Sequence, residues 1–246
     1  MLTKELILGE FEGRNSSIQE IIEFVNKSGK TFSRQTIIWN VNDLIKQGKA
    51  VRVGRGAYSF IKKSPFVLTL SDQCVNVCSI IKVNFKYLKI TVTDTSCLNQ
   101  FMNLQPFTSI ILIETKKVAV DAVISTLRNN QIESFAKKDF LRMEKYNRSA
   151  QIVLVGPERI TNPTLKCEEN ICYANLEKIL VDLACDERLY GQYQGTELEN
   201  IFKNSSEKYA INYSQMLKYA LARKRRPQIE ALLGTTENFR KVRSLL

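Results

Sequence analysis

Arg34, Gln35, Thr36, Trp39 and Asn40 lie close together, and Arg52 and Arg55 follow beside two glycines. Glutamine, asparagine and arginine are the side chains that pair with base edges in a major groove. An arginine between Gly54 and Gly56 sits where a backbone can bend tightly and approach a phosphate or a minor groove. The chemistry these residues can do together is recognition of double-stranded DNA. A second group could do hydrolysis. Asp94 followed by Glu114-Thr-Lys116 resembles the acid and E-x-K of Mg²⁺-dependent nucleases, in which carboxylates hold the metal and orient a water. No proline precedes Asp94 and no further acid lies near it, so ordinary strand-end charges are the expectation there.

The 246 residues contain no histidine, which removes Ser-His-Asp and Cys-His catalysis and histidine metal sites. Six cysteines occur, with Cys74/Cys78 and Cys167/Cys172 as the close pairs, and neither pair has C-x-x-C spacing. They are expected to be reduced, buried thiols in a cytoplasmic protein. No catalytic residue, metal site or cofactor is expected. No apolar run approaches the ~20 residues of a membrane span, and the acids in MLTKELILGEFEG do not fit a signal peptide.

The net charge is +11 and favours a polyanionic partner. Residues 1–65 carry eleven lysines and arginines against six acids, a net +5, the highest density in the chain. A second basic run, Arg223-Lys224-Arg225-Arg226, is expected at a helix C-terminus, where it can meet the helix dipole or a second phosphate.

The elements that must position these residues are legible from the pattern. Leu2, Leu6, Ile7 and Phe11 predict a short first helix. Ser17-Ile-Gln-Glu20 predicts a capping box, followed by the stripe Ile18, Ile21, Ile22 and Val25, and Gly29 ends that helix. A third helix is expected from Ser33 to Gly48, with Ile37, Ile38, Val41, Leu44 and Ile45 inward. Its opposite side carries Gln35, Thr36, Trp39, Asp43 and Lys46, with Asn40 on the flank. Residues 50–60 read as a glycine-tipped hairpin. Three helices and a hairpin are the layout of a winged helix-turn-helix, bounded at Lys62-Lys-Ser-Pro65.

Beyond it, helices are expected over 71–84, 95–103 and 118–129, and strands over 87–93, 109–114, 132–136 and 151–155, an α/β arrangement. From Tyr173 the pattern is helical, with Leu176, Ile179, Leu180 and Leu183 on one stripe, and Pro227 is expected to break the chain. The expected class is α/β (α+β), with a winged helix at 1–65 and a larger domain at 66–246, α/β over 66–165 and helical over 166–246.

The hairpin Arg52-Val-Gly-Arg-Gly-Ala-Tyr58 after the third helix resembles the winged helix of AbiEi-type antitoxins. Asp94-Thr-Ser-Cys-Leu-Asn-Gln-Phe101 leading to Pro106 and the 109–114 strand carries the same resemblance. So does Tyr173-Ala-Asn-Leu-Glu-Lys-Ile-Leu-Val-Asp182 through Gln194-Gly-Thr-Glu-Leu198. The resemblance implies an antitoxin of a type IV, abortive-infection toxin–antitoxin system. Its winged helix would repress its own operon. Its larger domain would neutralise a nucleotidyltransferase toxin without a stable complex. Alternatives from the residues alone are a winged-helix regulator with a sensor domain and a Mg²⁺-dependent nuclease.

Overall fold

The computed structural model describes residues 2–29, 32–60, 63–143, 150–159, 161, 163–164 and 167–245. Lys62, part of the expected domain boundary, lies outside the described residues. The chain is mixed α/β, with helices first, then sheets, then a helical region.

The first elements are α1 (Leu2–Phe11), β1 (Asn15–Ser17), α2 (Ile18–Lys27), α3 (Arg34–Lys46), β2 (Val51–Gly54) and β3 (Ala57–Ser59). The capping box forms as its spacing requires. Ser17 Oγ accepts from the Glu20 amide at 3.1 Å, and the Glu20 carboxylate accepts from the Ser17 amide at 2.7 Å. Ile7, Phe11, Ile21, Val25, Ile37, Val41 and Leu44 form one buried cluster with Ala50, Tyr58 and Phe60. The hairpin therefore contributes to the same core as the helices. β3 lies between β1 and β2, antiparallel to both. β1 is absent from the sequence reading because three polar residues carry no period-two pattern; pairing with β3 alone makes them a strand. This is a winged helix-turn-helix with a three-stranded sheet.

The second group begins with α4 (Asp72–Asn84), β4 (Ile90–Asp94), a 3₁₀ segment over Thr95–Phe101 and β5 (Ser109–Thr115). It continues through α5 (Val120–Asn129), β6 (Ser134–Ala136), α6 (Phe140–Met143), β7 (Gln151–Pro157), β8 (Ile171–Tyr173) and α7 (Leu176–Cys185). The five-stranded sheet has the order β6-β7-β5-β4-β8. β5, β6 and β7 run parallel; β4 is antiparallel to β5 and parallel to β8.

One sheet face carries Ile90, Val92, Ile111, Ile113, Val153 and Val155, buried with Cys74, Val77, Val123 and Leu127 of α4 and α5. The alternate residues, among them Thr91, Leu112, Glu114 and Leu154, are also buried. Both faces are thus covered, which is why β5 and β7 read as continuous apolar runs. β8 falls in the 166–246 region expected to be helical, ending at Tyr173 where the helical pattern was read to begin. It is set by the parallel ladder to β4, a non-local pairing.

The remaining helices are α8 (Thr196–Lys208), α9 (Tyr213–Ala222), α10 (Arg226–Gly234) and α11 (Glu237–Val242). The helical run is interrupted ahead of Pro227, between the end of α9 at Ala222 and the start of α10 at Arg226, as Pro227 suggested. Pro227 occupies the first turn of α10, where its missing amide costs nothing.

Two compact units result. One is Met1–Phe66 with Phe202–Lys218 and Arg226–Leu246; the other is Val67–Ile201 with Tyr219–Arg225. A division at residue 65 leaves the C-terminal helices out of the first unit, and the structure puts most of them in it. The bonds that do this are specific. The Ala210 amide donates to the Ser64 carbonyl at 3.3 Å, Lys63 Nζ donates to the Ser206 carbonyl, and Phe66 meets Tyr209 edge-on at 5.3 Å. The 166–246 region is accordingly shared between the two units.

The expectation of reduced, buried cysteines fails at the Cys167–Cys172 pair and in part at Cys185, which is free but only half-buried. Cys167 and Cys172 are joined by a disulfide, across a hairpin turn in which Glu169 and Asn170 have positive φ. Cys74, Cys78 and Cys97 are free and buried. No described helix is long and apolar enough to cross a membrane.

Candidate nucleic-acid interface and a buried charge network

α3 is fixed at its start by Ser33, whose Oγ accepts from the Thr36 amide at 3.1 Å and lies 2.9 Å from Thr36 Oγ1. Ile37, Val41 and Leu44 turn inward, so Arg34, Gln35, Thr36 and Trp39 are exposed. Trp39 is 63% exposed, with Lys4 Nζ of α1 5.1 Å from its ring centroid. The same lysine pairs with Asp43 and holds its carboxyl below the usual value, chiefly by hydrogen bonding. Asp43 is therefore engaged with α1.

Asn40 is corrected. It is buried, and its side-chain amide donates to the Thr36 carbonyl at 2.9 Å, one turn back in the same helix. It is spent on the helix and does not reach the outer face. Asn42 takes that place. It is exposed and lies seven residues after Gln35, on the same stripe as Trp39 and Lys46. The spacing from Gln35 is the signal that identifies it, and it was missed.

The wing tip turns at Gly56, whose φ is +73°. Only this glycine needs the left-handed region; Gly54 ends β2 beside a register shift. The Ile18 amide donates to the Gly56 carbonyl at 2.7 Å, and the Arg55 amide donates to Ser214 Oγ of α9 at 3.2 Å. The tip is thus held from two sides while the Arg55 side chain stays exposed. Arg52 is exposed as well, and its Nε donates to the Gly54 carbonyl at 3.2 Å.

The basic run at 223–226 is not one free patch. Arg223 is only 8% exposed, pairing with Asp182 and, at 2.7 Å, with Asp186. Arg226 starts α10 and pairs with Glu230 at 2.8 Å. Lys224 and Arg225 are exposed, Lys224 with a φ of +57°. Arg223 is withdrawn from the expected patch by its two aspartates, whereas Arg226 stays exposed in a surface pair.

The nuclease pattern does not assemble. Asp94 faces Ile111 across the ladder and Glu114 faces Thr91, so their side chains leave opposite sides of the sheet. Asp94 accepts from the Ser71 amide and hydroxyl at 2.9 and 2.7 Å and from the Ser96 amide at 3.0 Å, tying the start of α4 to the end of β4. Among the described residues, no three His, Cys, Asp or Glu side chains converge as a metal-ion site.

Glu114 belongs instead to a buried charge network. Lys178 Nζ of α7 lies 2.7 Å from Glu114 Oε2, with the two side chains 0% and 1% exposed. Lys178 also pairs with Asp182, which accepts from the Tyr219 hydroxyl at 2.8 Å. Burial opposes the Lys178 charge, but Asp182 and Glu114 outweigh it and hold the ammonium above the ordinary lysine value. Burial likewise opposes ionisation of Asp186. Lys137 and Arg223 prevail and keep that carboxyl below its usual value. Isolated charges are not tolerated at such depth, so the pairing is what lets α7 be buried on nearly every side. The sequence hint was a lysine and an acid at i, i+4 inside an apolar stripe.

No curated protein matches the chain. A family model does, over residues 36–238, from the first turns of α3 through the wing and the sheet to α11. The chain belongs to DUF6577, a family of unknown function.

Proposed function

We propose that the winged helix binds double-stranded DNA, with α3 in the major groove and the wing on the adjacent backbone. The observation that carries this reading is a capped α3 with an exposed polar N-terminal half, in one compact unit with a wing bearing two exposed arginines. In this reading Gln35 and Arg34 read base edges and Asn42 extends the contact. Arg52 and Arg55 meet phosphate or the minor groove, and Trp39 offers an apolar face to a thymine methyl. The biological setting is the one the AbiEi resemblance implies: a cytoplasmic antitoxin that represses its own operon and neutralises a nucleotidyltransferase toxin without a stable complex.

The test uses point variants of the full chain, because part of the C-terminal region belongs to the first unit and a cut at residue 65 would divide that unit. Gel shifts on the chain's own promoter should show Arg55→Ala weakening all sequences alike and lowering the salt slope by about one. Gln35→Ala should cost about 1–3 kcal/mol on the preferred site and relax its sequence preference. If both variants bind like the wild type, α3 is not in the groove. Arg55→Ala should derepress the promoter yet still rescue growth when the neighbouring gene is induced. Rescue that tracks DNA binding in every variant would leave repression as the sole activity.

A further inference from the structure

At the carboxyl ends of β6 and β7 the chain leaves the sheet through Lys137 and through Glu158 and Arg159. Open α/β sheets place ligands at this edge. Two adjoining clefts open there, of about 560 and 350 Å³, sharing Lys137. Each falls within the ~300–1,000 Å³ typical of small-molecule sites. Their lining supplies six cations, Lys137, Lys138, Arg159, Arg188, Arg223 and Arg225, against the three carboxylates of Glu158, Asp186 and Glu187.

Asp186 is the single carboxylate on which three of the cations converge, Arg223 at 2.7 Å, Lys137 at 3.1 Å and Arg159 at 3.5 Å. Asp182 shares the Arg223 charge, so in the connected network the three carboxylates Glu114, Asp182 and Asp186 meet the four cations Lys137, Arg159, Lys178 and Arg223 and leave one positive charge over. The Asp186 contacts hold Lys137, Arg159 and Arg223 in position, so a bound anion need not order those three side chains. Arginine forks match phosphate oxygens in pairs. Carboxylates within a concave lining disfavour a continuous nucleic-acid backbone, whereas a small nucleotide can meet the cations with its phosphates and a carboxylate with its ribose hydroxyls.

We propose that this cleft binds a small phosphate-bearing ligand of nucleoside di- or triphosphate size. Arg159, Arg225 and Lys138 take the phosphates. Arg223 and Lys137, held by Asp186, form the charged floor. This site is separate from the winged helix and does not depend on the DNA-binding reading.

Calorimetry of the full chain with ATP, GTP and inorganic pyrophosphate tests it. Saturable binding of at least one is expected, weakened about tenfold or more by Arg159→Glu and by Lys138→Glu and unchanged by Arg55→Ala. Lys138 is exposed, so its variant keeps the test valid if Arg159→Glu fails to fold. Three results would each overturn the proposal: no saturable binding up to about 1 mM ligand at about 50 mM salt, wild-type affinity in both charge-reversal variants, or displacement of the nucleotide by a DNA duplex in the Arg55→Ala background.

Discussion

Replacing Lys178 with methionine tests whether the buried network holds the second unit together. The side chain stays unbranched, one atom shorter, and loses its charge. Glu114, 1% exposed, then faces the gap with its cation at 2.7 Å removed. Direct attraction at that separation is about 6 kcal/mol at an effective dielectric constant of ~20, before the cost of burying both ions is subtracted. Breaking one side of such a pair typically costs about 3–5 kcal/mol, because the remaining charge is stranded. In a chain of this size that lowers the melting temperature by about 6–20 °C. Glu114→Leu alone should be comparably damaging, since Lys178 would keep only Asp182, which Arg223 and Tyr219 already share. The double variant Glu114→Leu/Lys178→Met strands no charge. It should recover most of the loss, with a coupling of about 3 kcal/mol in a double-mutant cycle. Urea melts followed by far-ultraviolet circular dichroism give all four corners. A Lys178→Met chain that melts with the wild type, or a double variant whose loss equals the sum of the singles, would refute the argument.

Asn40→Ala should cost about 0.5–1.5 kcal/mol of stability through its lost bond to the Thr36 carbonyl and leave DNA sequence preference unchanged, the opposite of Gln35→Ala. Chemical melts and gel shifts on one preparation separate the two effects. Asp186→Asn should destabilise at neutral pH. The Asp186 carboxyl is held low in the fold by Lys137 and Arg223 despite burial, so its stabilisation is present above the ordinary aspartate value and lost as pH falls through the depressed one. The gap between wild-type and variant melting temperatures should therefore close on acidification below about pH 4; a gap independent of pH would rule out charge as its origin. Gly56→Ala should cost about 1–2 kcal/mol, because its φ of +73° lies where a β-carbon is strained, while the nearest atom to that carbon, Ile18 Cγ2 at 3.4 Å, leaves room. Thermal melts of the two chains measure this directly.

The sequence by itself determined the parts governed by local periodicity and local capping. The Ser17–Glu20 box, the Ser33 cap, the inward stripe Ile37, Val41 and Leu44, and the glycine hairpin depend on residues a few positions apart, and all form as spaced. The buried strands β5 and β7 were legible for the same reason. Only the tertiary structure decided what long-range partners do. β1 and β8 exist through pairing with distant strands. Asn40 and Arg223 are withdrawn from the surface by a carbonyl and by two aspartates. The C-terminal helices join the first unit through bonds between residues more than a hundred positions apart, such as Arg55 to Ser214. Side-chain type and spacing announce a helix face, but they do not say which polar group already has a buried partner. That is fixed by desolvation, which requires each buried charge to find an opposite one wherever the fold supplies it.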